Sequence, residues 1–196
     1  LRHHHRLGES ICHTLSLAFP MSIRQGGNMD ARTLAWIDQA KARTTEIIRN
    51  HGWVVEYIGG SACIAPGCTG EKENHAPPFA YTVGLFGLGH PELLVFGLSA
   101  GAAAGVLNLF GERIRKGENL VPGQLITLPG SHHQFMIEEV PNPGEIVFGA
   151  NDFYQRPAEA SVPVLQLSYD DGGGVFPWDE EYAVPESQPR PGTFRA

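Results

Sequence analysis

The sequence predicts an α+β fold, a mostly antiparallel sheet with two main helices packed on it. A sustained helical period lies near the start, and two strand-type runs flank a Gly-rich turn in the middle. The second half is a succession of short strands between Pro- and Gly-rich turns. The alternating strand–helix rhythm of a doubly wound sheet is missing, and a sheet of this kind can curl into a split-barrel-like form.

Asp30 suits the cap of a helix running to about His51, with Leu34, Ile37, Ala40, Thr44, Ile47 and Ile48 at helical spacing. Arg49 and His51 suit its negative pole, and Gly52 the position after it. Trp53–Ile58, β-branched and aromatic, reads as the first strand, and residues 59–78 as a long loop without period. Phe79–Leu85 is the next strand. Phe79, Tyr81, Val83 and Leu85 share one face, while Ala80, Thr82 and Gly84 leave the other nearly bare. A helix, a strand or a ligand can approach that bare face.

Glu92–Leu98 is apolar on both faces after Glu92, as in a central strand. Ser99 can cap a helix over Ala100–Lys116 whose buried stripe is Ala103, Val106, Leu107, Phe110 and Ile114. Gly101 and Gly105 would let that helix approach a partner closely. Strands follow at Gln124–Leu128, Gln134–Val140, Ile146–Ala150 and Val162–Tyr169, with a hairpin-type turn at Pro141–Gly144. Asn151–Ala160 reads as a short helix or an extended connection.

Residues 29–184 therefore form the expected single domain. Residues 1–28 are expected to be disordered or outside the native fold, and 185–196 a flexible Pro-rich tail. A formal net charge of −7 argues against a nucleic-acid groove. No run is long enough to span a membrane as a helix. Three cysteines are too few for a disulfide scaffold, which points to a reducing cytoplasm.

Signatures of phosphate loops, nucleophile elbows and zinc helices are absent. Gly84–Gly89 is followed by His90-Pro91 and a strand, not by the helix that dinucleotide binding needs. Cys63, Cys68 and His75 offer three metal ligands without an obvious fourth, so no metal is expected. His132 and His133 point to opposite faces and read as a surface turn. Asp170-Asp171 before Gly172–Gly174 reads as a turn whose acids bond their own backbone, though Asp171 could pair with Glu92, His90 or Tyr81 as acid and base.

Phe79–Leu85, His90–Leu98, Leu107-Asn108, Pro122-Gly123, Leu165–Asp171 and Phe176–Trp178 together resemble a bacterial family of domains of unknown function, DUF4262, over roughly residues 46–180. The resemblance implies motif positions at Tyr81, Thr82, Gly84, Glu92, Asn108, Gln166, Asp171 and Trp178. It implies no catalytic role for any of them. Asp170 stands where the family pattern implies Pro, and Asp171 matches its acid.

The expected function is a small-ligand- or protein-binding accessory module. Its cleft would lie between the 79–98 hairpin, the 100–116 helix and the 165–178 segment. One alternative is an FMN-binding split-barrel oxidoreductase, with the flat ring on the Ala80-Thr82-Gly84 face; FMN is the one cofactor worth testing. A second is an acid–base hydrolase using Glu92 and Asp171, which requires the two carboxyls to converge.

Overall fold

The computed structural model describes residues 14–15, 31–59 and 76–196. The expectations about Asp30, the segment 1–28 (apart from Thr14–Leu15), Cys63, Cys68 and His75 lie outside the described residues.

Helix α1 spans Ala31–His51 and meets the sheet through its last turns, where Thr44 and Ile47 are buried. Gly52, at φ +97°, ends it by donating its N–H to the carbonyl of Ile48 at 2.7 Å. The strands are β1 (Thr14–Leu15), β2 (Val54–Ile58), β3 (Phe79–Val83), β4 (Glu92–Phe96), β5 (Leu125–Thr127), β6 (Gln134–Glu139) and β7 (Val164–Tyr169). They form one sheet in the order β1-β2-β3-β4-β7-β6-β5. β1–β2 and β4–β7 are parallel and the other neighbours antiparallel, so the sheet is mostly antiparallel. It is open, with β1 and β5 at its edges, and has not curled into the barrel that was one expectation.

Helix α2, Ala100–Arg115, begins at Ser99, whose Oγ accepts the Ala102 N–H at 3.4 Å. It packs on one face of the sheet with Ala103, Ala104, Leu107 and Phe110 against Ala80, Leu93, Val95, Ile137 and Leu167. Gly101 and Gly105 have open space around them. Gly111 makes the close approach instead, because a Cβ there would sit 2.5 Å from the Trp53 ring. The opposite face holds Ile47, Phe79, Tyr81, Val83, Leu94 and Phe96 under Ile146, Val147, Ala150 and Phe194. Period-two alternation thus assigns β3 correctly up to Val83. Leu85 then joins the α2 side, because Gly84 at φ +135° redirects the chain.

Two further expectations fail. Ile146–Ala150 is not a strand: Pro143–Glu145 makes a 3-10 turn and Phe148–Phe153 forms α3. The buried positions Ile146, Val147 and Ala150 follow the i, i+1, i+4 spacing of one helix face, which outweighs the β-branched composition. Residues 185–196 are not a loose tail either. Pro185–Ser187 forms a 3-10 turn, Gln188 is 2% exposed, and Phe194 packs edge-on to Phe79 and Phe96 at 5.3 and 4.9 Å. Among the described residues no helix is long and apolar enough to cross a membrane.

Candidate functional site

Glu92 opens β4 at 0% exposure, and its carboxylate is surrounded by donors. Oε2 accepts from the Thr82 hydroxyl at 2.6 Å and from the Leu85 N–H at 3.2 Å. Oε1 accepts from the N–H groups of Gly84 at 2.8 Å and Phe86 at 3.1 Å. Thr82 is itself fixed, because its Oγ1 accepts the Leu93 N–H at 2.9 Å. Only glycine fits at position 84, since a Cβ would come within 2.3 Å of the Gly52 carbonyl oxygen. Burial pushes the Glu92 carboxyl up to about 7, against the pull of the hydroxyl and three amides that favour its charged form. The carboxylate ties the Leu85–Leu88 turn to the sheet and is closed to solvent.

Tyr81 lies on the other face from Thr82. Its hydroxyl donates to Glu56 Oε2 at 2.5 Å and accepts the Gly149 N–H at 3.0 Å, joining β2, β3 and α3. Burial raises the pKa of Glu56, and burial with the neighbouring Glu56 carboxylate raises that of Tyr81. His90 spans two backbone groups: Nδ1 lies 2.7 Å from the Pro91 carbonyl, and Nε2 accepts the Leu120 N–H at 3.2 Å. Burial holds its pKa below 6.5, in keeping with a neutral tether between β4 and the chain after α2. Asn108 accepts the Trp53 indole N–H at 2.9 Å.

A third cluster lies at the far side of β7. Gln166 donates to Ser168 Oγ at 3.1 Å, and Ser168 donates to Glu138 Oε2 at 2.6 Å. Glu138 Oε1 holds the Arg190 guanidinium at 2.8 Å, and that guanidinium lies 4.5 Å from the Trp178 ring centroid. Trp178, 41% exposed, stacks on Phe176 with centroids 4.6 Å apart. Trp178, Arg190, Glu138, Glu139, Met136 and Pro191 line an open groove of about 490 Å³.

Asp171 is exposed and accepts from Gly173 and Val175 N–H groups at 2.7 and 3.2 Å, the role of a turn former; those amides hold its pKa below 3.8. Its neighbour Asp170 is the buried acid, with Oδ1 accepting the Gln134 N–H at 2.9 Å and Oδ2 the Gly174 N–H at 3.0 Å.

The predicted residues therefore do not share one cleft. Thr82, Gly84 and Glu92 form one knot, Tyr81 belongs to another across the sheet, and Asn108 serves Trp53. Gln166 and Trp178 meet through Ser168, Glu138 and Arg190. Glu92 pairs in register with Val164 on the parallel strand β7, while Asp171 lies seven residues further along. At about 3.3 Å per residue the two acids stand roughly 20 Å apart, well beyond the roughly 9.5 Å limit of working carboxylate pairs. The bare Ala80–Thr82 face is covered by α2, so the surface expected to receive a flat ring is filled by helix.

Sequence reasoning missed Glu56, Glu138 and Arg190. Glu56 is the one charged residue in the otherwise apolar and aromatic strand Val54–Ile58, a signal of a polar group that needs a partner. Among the described residues no group of three or more His, Cys, Asp or Glu side chains is placed to hold a metal ion. The buried side-chain polar atoms without a hydrogen-bond partner are Asn142 Oδ1 and Asn151 Nδ2, again among the described residues, and neither belongs to the predicted site.

The family model described as Domain of unknown function (DUF4262) matches residues 47–183, well over half of the chain. No curated protein and no solved structure matches it.

Proposed function

The chain belongs to DUF4262, and we propose that it acts as a binding or accessory module whose contact surface is the groove beside β6. The observation that carries this reading is a division of labour among polar groups. Glu92, Tyr81 and His90 are buried and committed to structural hydrogen bonds. The groove instead gathers accessible chemistry: the half-exposed Arg190, the exposed Glu139 carboxylate and Trp178. A concave, mixed polar and aromatic lining of this size suits recognition of a small molecule or a peptide.

The acidic balance and sparse cysteines keep the expectation of a cytoplasmic partner other than nucleic acid. A flavin reading loses its proposed seat under α2, and the hydrolase reading loses its carboxylate pair.

A thermal-shift panel of small polar molecules and peptides, FMN included, tests the proposal. A ligand that raises the melting temperature of the wild type but not of Glu139→Ala is the expected result. Turnover of any substrate that disappears in Glu92→Gln or Asp171→Asn, with folding retained, would refute it.

A further inference from the structure

Residues 184–196 lie beyond the matched family region, yet hydrogen bonds, ion pairs and ring contacts tie two stretches of them to the domain. Gln166 Nε2 donates to the Pro189 carbonyl at 2.8 Å, and Asn142 Nδ2 donates to the Phe194 carbonyl at 2.8 Å. Glu138 and Glu145 pair with Arg190 and Arg195 at 2.8 and 3.0 Å. The Gln188 amide exchanges two hydrogen bonds with the Tyr169 peptide, accepting its N–H at 3.0 Å and donating to its carbonyl at 2.9 Å. Phe194 is wedged between Phe79 and Phe96.

These are the contacts by which domains read peptides. Side-chain amides hold main-chain carbonyls, carboxylates select arginines, and an aromatic pocket takes an anchor. The gripped segment is Pro-rich, which lowers the conformational entropy lost on binding, and it carries two arginines against one glutamate within a chain of net charge −7.

We infer that the surface beneath segment 184–196, which adjoins the groove beside β6 through Glu138 and lends it Arg190 and Pro191 as one wall, is a peptide-binding site which the chain's own segment fills as a tethered ligand. The partner it fits is a segment of another protein with the same chemistry, Gln-Pro-Arg-Pro followed by an aromatic–Arg pair, which binds when the strap is displaced. The inference rests on the binding-module reading and names the class of partner. Displacement can start at the Arg195 end, where both members of the Arg195–Glu145 ion pair are open to solvent. A tethered occupant otherwise competes at high effective concentration.

The test uses the full chain with its strap weakened by Phe194→Ala and Arg195→Ala, both outside the groove wall. The probe is a fluorescein-labelled synthetic peptide copying residues 187–196, followed by anisotropy. The weakened chain is expected to bind the peptide at least about ten-fold more tightly than the wild type. Adding Glu145→Arg should abolish that binding, and a peptide with glutamate in place of Arg195 should restore it.

A folded strap variant without saturable binding, or binding indifferent to Glu145→Arg, overturns the inference. Hydrogen exchange on the wild type supplies a reading independent of the variant's folding. Ala196, whose N–H bonds the Glu145 carbonyl, should exchange by local opening well ahead of β7. Exchange of both only through global unfolding overturns the inference. So does a thermal shift, lost in Glu139→Ala, from some other ligand with no peptide binding; that result leaves the binding-module reading standing.

Discussion

Replacing Thr82 by Val keeps the shape of a fully buried β3 side chain and removes its oxygen. Two hydrogen bonds go with it: the donation to Glu92 Oε2 at 2.6 Å and the acceptance of the Leu93 N–H at 2.9 Å. Above pH 7, where the Glu92 carboxyl is charged, a bond to it is worth roughly 1.5–3 kcal/mol, and a buried N–H left without a partner costs roughly 1–3 kcal/mol. Both Thr82 and Glu92 have 0% exposure, so water does not replace what is lost. The expected destabilisation is about 3–5 kcal/mol, a fall in melting temperature of about 10–15 °C for a domain of this size. Urea titration with an unchanged slope of free energy against denaturant is the assay. Thr82→Ser retains both bonds and should cost only about 1 kcal/mol for its missing methyl group. A Thr82→Val protein within about 1 kcal/mol of the wild type, or Thr82→Ser as damaging as Thr82→Val, would refute the reasoning.

The pKa of Glu92 rises from 4.5 to about 7 on folding, so the folded state binds the proton more tightly. Its contribution to stability is then fullest below pH 4.5 and is lost as pH rises through 7, by up to about 3 kcal/mol. Urea titrations from pH 5 to 8 should show the wild type losing stability relative to Glu92→Gln; a difference that stays flat or widens contradicts this. Gly84→Ala should cost more than about 3 kcal/mol or prevent folding, since its Cβ meets the Gly52 carbonyl at a positive φ. Gly89→Ala, also at positive φ but with open space around it, should cost about 1 kcal/mol, and equal costs in the two variants would show that the close approach is not the cause. Asn108→Leu should cost about 1–3 kcal/mol by leaving the Trp53 N–H unpaired, and should red-shift tryptophan emission if water enters; an unchanged urea midpoint would dismiss that bond.

The elements visible in the sequence were those whose signal is local. The helical period of 34–48, the Ser99 cap and the alternation in 79–83 each need only neighbours a few residues away. Ile146–Ala150 was misread because β-branched composition outweighed the spacing of its apolar positions. Segment 185–196 reads as a loose tail because its partners, Gln166, Asn142 and Phe79, are remote in sequence. Tyr81, Thr82 and Glu92 each find hydrogen-bond partners in the fold. They do not share one cleft, because Tyr81 and Thr82 are consecutive on a strand and the pleat sends them to opposite faces. The Leu85–Phe86 amides that satisfy Glu92 carry no side-chain signature at all.

The parallel seam between β4 and β7 also governs how the chain reaches its fold. Leu94 and Gln166 are register partners 72 positions apart, so the middle of the sheet is its most non-local contact. During synthesis β2, β3 and β4 can pair as a meander, while the outer edge of β4, Leu93 to Phe96, stays an open apolar template until β7 emerges. Mutations that delay closure of this seam should therefore lower soluble yield before they lower the stability of the finished protein.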